Sequence, residues 1–238
     1  MIVALIQARM GSTRLPGKVL KDLCGKPMLC HVVERVSRSK YVNQVVVATS
    51  TKPIDQHIVN LCRRKKILFL RGSENNVLSR FYLAIERFPS DVYLRITADC
   101  PFIDPLIIDK VCDRFLKEKP DYASNTLELT YPRGLDIEVF TKEALIKTYQ
   151  EATEPLELEH VTYYMRHHPE KFKLLNVPCT IDYSKHRWTV DTIEDLQLAL
   201  TIYKYFKNNS FSWTDILDAM EAHPLWQLIN AHIQQKPS

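Results

Sequence analysis

Two hydrophobic rhythms alternate along the first half of this chain. Residues 2–6, 44–49, 67–70 and 91–96 are short apolar runs and predict buried strands. Between them, 27–39, 54–66 and 76–88 carry apolar residues at helical spacing, with Pro27 suited to a first turn. Asp104-Pro105 reads as an N-cap followed by Pro at the first helical position and opens a helix to 117. Strand and helix in strict alternation predict an α/β fold: three layers, doubly wound, with a mostly parallel, mixed sheet of Rossmann-like type.

The rhythm breaks between 121 and 140. There β-prone residues surround the turn signal Tyr131-Pro132-Arg133-Gly134, which predicts a hairpin or small β arm with antiparallel pairing. Helices follow over 141–151 and 155–168, then short strands over 172–177 and 186–190. Residues 192–208 form a long amphipathic pattern, with Thr192 and Asp195 set as a capping pair. Residues 212–235 read as two helices split at Pro224. No linker, repeat or low-complexity stretch interrupts the pattern. A single domain over 1–238 is expected, with 121–140 as an arm and 209–238 as a helical extension.

Composition narrows the class. Hydrophobic content of 45% and charged content of 25% are those of a soluble globular protein. No apolar run approaches a membrane span, and the start lacks the features of a signal peptide. A net charge of +4 is too mild to argue for nucleic acid. Six cysteines without CxxC or zinc-type spacing point to reduced, mostly buried thiols and a cytoplasmic location. Trp213 and Trp226 read as core or subunit contacts, and the run 63–66 as a solvated helix end.

The chemistry starts where the first strand ends. Gln7-Ala8-Arg9-Met10-Gly11-Ser12-Thr13-Arg14-Leu15-Pro16-Gly17-Lys18 combines glycines, hydroxyls and three cations. Glycine lets backbone approach a ligand, and free N–H groups in such a turn form an anion nest. Arg9, Arg14 and Lys18 add charge-assisted donors for phosphate oxygens. Five residues separate Gly11 from Gly17 and Val19 follows Lys18, so this is not a Walker A loop. A solvated basic loop is the alternative reading.

Ligands of open α/β sheets bind beyond the carboxyl ends of the strands. Arg95-Ile96-Thr97-Ala98-Asp99-Cys100-Pro101 ends one predicted strand, and Trp188-Thr189-Val190-Asp191 ends a late one. If these strands run parallel to the first, Asp99 and Asp191 reach the rim that holds Arg9 and Lys18. Two carboxylates facing a triphosphate suit Mg²⁺, which takes oxygen ligands. One cation 4 Å from a phosphate oxygen contributes only about 1 kcal/mol in water and about 4 in a partly buried site, so loop cations alone neutralise a triphosphate incompletely. Against this, Asp191 also suits a helix cap and Asp99 a turn before Pro101. Strand periodicity puts Asp136 and Glu138 on one face, as sugar or metal contacts or as a solvated face. His160 suits a general base, an acceptor ligand or a structural role; 167–168 read as a helix end.

The loop motif, from Ala8-Arg9 through Ser12-Thr13-Arg14-Leu15-Pro16-Gly17-Lys18, resembles the nucleotide loop of sugar cytidylyltransferases, both the 3-deoxy-manno-octulosonate enzymes and the spore-coat SpsF group. The stretches 95–101, 188–196, Pro132-x-Gly134-Leu135-Asp136-Ile137-Glu138 and Glu159-His160-Val161-Thr162 resemble SpsF-group motifs. Arg71-Gly72-Ser73-Glu74-Asn75-Asn76-Val77-Leu78-Ser79-Arg80 resembles a segment bordering the nucleoside, with Asn76 where the pattern has Asp.

The resemblance implies the nucleotide-diphospho-sugar transferase fold, a homodimer, CTP as nucleotide and Asp99 and Asp191 as metal ligands. With it, the nucleotide set is Ala8, Arg9, Gly11, Ser12, Arg14, Lys18, Gly72, Ser73, Arg80 and Arg95, and the acceptor set Asp136, Glu138 and His160. The expected reaction moves CMP from CTP to a 2-keto-3-deoxy acid sugar and releases pyrophosphate, for a surface polysaccharide or glycan precursor. A phosphorylated sugar or polyol is the alternative acceptor. A nucleotide-binding subunit without turnover is the alternative of another class.

Overall fold

The computed structural model describes residues 1–234. Seven strands form one sheet: β1 (Ile2–Gln7), β2 (Gln44–Ser50), β3 (Leu68–Gly72), β4 (Val92–Thr97), β5 (Tyr122–Ser124), β6 (Glu138–Thr141) and β7 (Leu174–Asn176). Their order is β3-β2-β1-β4-β6-β5-β7. The first four run parallel, β6 runs antiparallel to both β4 and β5, and β7 is parallel to β5.

Alternation along β1 explains the layers. Ile2, Ala4 and Ile6 face one core and Val3 and Leu5 the other, as the two-residue period of a strand requires. On the first face pack α1 (Met28–Val36), α2 (Gln56–Lys65), α4 (Pro105–Glu118), α8 (Ile193–Phe206) and α9 (Trp213–Ala222). On the second pack α3 (Val77–Arg87), α5 (Lys142–Glu151) and α7 (Tyr163–His167), with Leu158 of the short α6 (Pro155–Glu159) against them. Covered on both faces, β1 carries an unbroken apolar run.

The register decides where the site lies. Gln7 is paired with Ala48 on one side and Thr97 on the other, so β1 and β4 finish level and β2 runs two residues further in the same direction. The segments that leave them emerge along one rim.

Three expectations change. The 121–140 stretch does pair antiparallel, yet β5 and β6 lie inside the sheet and not in a protruding arm. β5 is buried throughout and β6 from Glu138 to Phe140, and a hairpin outside the sheet would expose that face. The helix expected over 155–168 is broken into α6 and α7 at His160. The break turns the Thr162 hydroxyl onto the Glu138 carboxylate. Residues 186–190 are not a sheet strand. They run extended beside the 131–134 turn, bonded through Arg133 N to His186 O (2.9 Å) and Trp188 N to Arg133 O (2.7 Å).

The C-terminal extension is held by buried Arg35, whose guanidinium donates to the carbonyls of Asn209 and Phe211, each at 2.9 Å. A 3₁₀ turn over Pro224–Leu228 follows α9, and the last residue of the predicted 212–235 pair, Gln235, lies outside the described residues.

Candidate active site

The loop after β1 is folded onto itself. The Ser12 and Gly17 amides both donate to Met10 O (2.9 and 3.0 Å), and the Met10 amide donates to Asp55 Oδ1 at 2.7 Å. Asp55 is buried and also accepts from the Ser50 amide and hydroxyl, so it ties the loop to the end of β2. Gly17 sits at φ +68°, the left-handed region that glycine adopts without strain, and this turn sends Lys18 back beneath the loop.

Lys18 then meets both acids. Its ammonium donates to Asp99 Oδ2 at 2.5 Å and to Asp191 Oδ1 at 2.7 Å. Burial would lower the Lys18 pKa, but Asp99 and Asp191 outweigh it and raise the value above the ordinary one. Burial would likewise raise the Asp191 carboxyl, but Lys18, Arg14 and Arg187 hold it below the usual range. Arg14 reaches Asp191 Oδ2 at 2.8 Å and Arg187 at 2.9 Å.

Asp191 is not the cap of α8. Thr192 takes that place, accepting from the Asp195 amide, while Asp195 accepts from the amides of Asp191 and Thr192 at 3.0 Å. Asp191 is thereby free to face the loop. It is carried there by close contact at Gly134 (φ +104°): a Cβ on that residue would lie 2.6 Å from Thr189 N. Val190 N donates to Asp99 O at 2.8 Å, joining the two acidic segments directly.

These groups open onto a cavity of about 950 Å³ between the loop and β6. Arg9, Gly11, Ser12, Arg14, Lys18, Arg95, Asp99, Asp136, Glu138, His160 and Asp191 all line it. Gly72, Ser73 and Arg80 are not among its lining, and Ala8 is buried beneath the loop. Gly72 is instead a packing position: a Cβ there would sit 2.5 Å from Arg80 Cγ. The Arg80 guanidinium is wholly buried without a hydrogen-bond partner, and burial, with Arg9 nearby, lowers its pKa to about 10. Asn76 caps α3 by accepting from the Ser79 amide at 2.7 Å, and Ser73 Oγ accepts from the Asn76 amide. An Asp at position 76 would cap equally well.

Glu138 is not a solvated strand residue. Its carboxylate pairs with Arg95 and accepts from the Tyr122 hydroxyl at 2.7 Å and from Thr162. Burial would raise it, yet Arg95, the nearby Arg166 and those hydroxyls bring it to about 2. Asp136 behaves oppositely: desolvation raises it, and Arg133 at 3.7 Å only partly compensates. Burial also lowers the His160 pKa, so the ring stays neutral near pH 7. Cys100 is buried beside Asp99, and desolvation pushes its thiol well up; it is no nucleophile.

The chain matches a known group. Residues 3–221 fit the model of the cytidylyltransferases. The chain belongs to the cytidylyltransferase family. It is 37% identical over 210 residues to the spore coat polysaccharide biosynthesis protein SpsF of Bacillus subtilis, covering 85% of this chain and 86% of that one. It is 36% identical over 127 residues to the 3-deoxy-manno-octulosonate cytidylyltransferase of Geobacter sulfurreducens, covering 53% and 50% of the two chains. A solved cytidylyltransferase from Leptospira borgpetersenii superposes with a TM-score of 0.92 at 34% identity, over 100% of this chain and 99% of that one.

Several parts of this cytidylyltransferase site escaped sequence reasoning. Asp55 pins the loop, Arg187 aims Asp191 from its anchor on the expected capping residue Asp195, and Arg133 and Arg166 line the far wall. Arg187 stands four residues before Asp191, a spacing that was there to read. Asp55 and Arg166 carry no comparable local signal, because their roles depend on tertiary placement.

Proposed function

We propose that the protein transfers CMP from CTP to an acidic sugar of the 2-keto-3-deoxy type, with release of pyrophosphate, as a step in making a surface polysaccharide or glycan precursor. What carries this reading is Lys18 seated between Asp99 and Asp191, at one rim with Arg9 and Arg14. The SpsF relative's part in spore coat polysaccharide supports the biosynthetic setting.

Arg9, Arg14 and Lys18 bind the β- and γ-phosphates, and the backbone around Gly11 adds N–H donors. The donor set at Asp99 and Asp191 fits a divalent ion: two carboxylate oxygens converge on one point where a cation, the Lys18 ammonium, already sits. Mg²⁺ held there supplies Lewis-acid polarisation of the α-phosphate and offsets charge on the departing pyrophosphate. The acceptor oxygen attacks the α-phosphorus in line, and no covalent enzyme intermediate forms; Cys100, the thiol beside the acids, is kept protonated. Neutral His160 is placed to take the acceptor's proton. The remaining contribution of the protein is positioning and preorganised charge.

The test is pyrophosphate release from CTP and Mg²⁺ with a panel of 2-keto-3-deoxy sugar acids and phosphorylated polyols. Turnover with a sugar acid is expected. Turnover confined to the phosphorylated polyols overturns the acceptor, and tight CTP binding without turnover on any member overturns the enzyme.

A further inference from the structure

We propose that Arg166 is the specificity-determining residue of the acceptor subsite, where it holds the anionic group, carboxylate or phosphate, of the acceptor. The assignment rests on the cytidylyltransferase reading of the same cavity.

Arg166 lies in the last turn of α7 and lines the cavity, half-buried, with its Nε sealed from solvent and without a hydrogen-bond partner. Its guanidinium carbon lies 5.9 Å from the Tyr163 ring centroid and makes no ion pair among the described residues. The other arginines that line the cavity each face a carboxylate. Arg9 has Glu159, Arg14 has Asp191, Arg95 has Glu138 and Arg133 has Asp136. Arg166 therefore brings the one guanidinium of this wall, among the described residues, whose charge no protein carboxylate meets.

The acid nearest in effect is already saturated. Glu138 is occupied by Arg95 and by the hydroxyls of Tyr122 and Thr162, so Arg166 acts on it only at longer range. A charged side chain with a sealed, unpaired N–H carries a desolvation penalty that an anionic ligand relieves. The planar fork of arginine matches carboxylate and phosphate oxygens two at a time.

Thr162, four residues before Arg166, bonds Glu138 of β6, whereas Lys18 of the loop bonds Asp99 and Asp191. The charge of Arg166 is felt by Glu138, Tyr122 and His160, whereas Lys18 is coupled to Asp99 and Asp191. The loop cations thus serve the nucleotide and Arg166 serves the second reactant. Asp136 and His160 on the same wall suit hydroxyl groups, so the ligand that fits is a polyhydroxylated molecule with one anionic end.

The test compares wild type, Arg166→Gln and Arg166→Lys in the pyrophosphate assay with CTP and Mg²⁺. The probes are a 2-keto-3-deoxy sugar acid, the same sugar as its neutral C1 amide, and a polyol phosphate. Loss of a charge-assisted pair should raise KM for the charged acceptor about 10- to 100-fold in Arg166→Gln. KM for CTP should stay within about twofold, because the lost contact is not to the nucleotide. The preference for acid over amide should collapse in Arg166→Gln and return in part in Arg166→Lys, which a purely structural role would not produce. Whichever of acid or phosphate shows the effect identifies the anion. Unchanged KM and unchanged acid-over-amide preference in Arg166→Gln overturn the assignment. Calorimetry covers the case without turnover: wild type that binds CTP and neither anion overturns it too, whereas failure to bind CTP removes the underlying reading of the cavity.

Discussion

Lys18 donates to Asp191 at 2.7 Å, although 173 residues separate them, and the same ammonium reaches Asp99 at 2.5 Å. A lysine thus stands where two carboxylates would receive a divalent ion. Arg14 and Arg187 crowd the same carboxylate, so Lys18, Arg14 and Arg187 face Asp99, Asp191 and Asp195 in local balance. A divalent ion entering alone would meet no net negative charge and would leave the cluster with an excess of positive charge. A triphosphate arriving with it reverses that balance, because its oxygens draw the loop cations. Lys18→Ala should therefore have opposite effects on two ligands. CTP affinity should fall by about 10- to 100-fold, the loss of one charge-assisted contact. Mn²⁺ affinity without nucleotide should rise, read by calorimetry or electron paramagnetic resonance. Unchanged CTP affinity would remove Lys18 from the nucleotide site.

Asp99→Asn separates charge from shape. The side chain keeps its volume, and Val190 N still meets the Asp99 backbone carbonyl, so the fold should persist with an unaltered circular dichroism spectrum. Turnover should drop by about 100-fold or more, as when one preorganised electrostatic contact is removed from a reaction centre. Near-normal turnover in this variant would contradict a metal role for Asp99.

The first four strands and their helices were legible because parallel strands buried on both faces leave continuous apolar runs, and the helices between them leave a clear period. The antiparallel β5 and β6 were legible as strands yet not in their place. A three-residue strand such as β5 records that it pairs, not which neighbour it pairs with. The break at His160 was invisible, since it answers a demand from Glu138 across the sheet. Within the site, Arg9 and Lys18 were readable in the cationic loop after the first predicted strand, and Asp99 and Asp191 just beyond two later ones. Glu138 read as one of two equivalent acids on a strand face. What distinguishes it from Asp136 is Arg95, Tyr122 and Thr162, all distant in the chain. Arg80 read as a ligand residue, and the structure buries it behind Gly72, outside the cavity lining.

Glu138 gives the acid limb of stability. Its folded value is about 2 against an ordinary 4.5, a depressed carboxyl. The stabilisation it contributes is fully present above about pH 4.5 and is lost as pH falls through the folded value near 2. At about 1.4 kcal/mol per pH unit of displacement, the linkage is on the order of 3 kcal/mol. Glu138→Gln should flatten urea stability between about pH 2 and 4.5. It should also lower stability at pH 7 by about 3 kcal/mol or more, since the half-buried Arg95 loses its carboxylate partner. An acid limb unchanged in this variant would assign that dependence to other carboxylates.

Gly134 tests how Asp191 is delivered. Its φ of +104° lies where a side chain is strained, and a Cβ would meet Thr189 N at 2.6 Å and Trp188 C at 2.7 Å. Both atoms are backbone, so the contact cannot be relieved by turning a side chain. Gly134→Ala should cost about 1–3 kcal/mol from the backbone conformation alone, with the steric overlap added. The 188–190 segment can escape only by moving away from the 131–134 turn, and Asp191 moves with it, because Trp188 N and Val190 N link that segment to Arg133 and Asp99. The variant should therefore lose CTP-dependent turnover at temperatures well below its own melting point. Proportionate loss of activity and fold would show that Gly134 acts on stability alone, whereas early loss of activity ties the turn to the geometry of the acid pair.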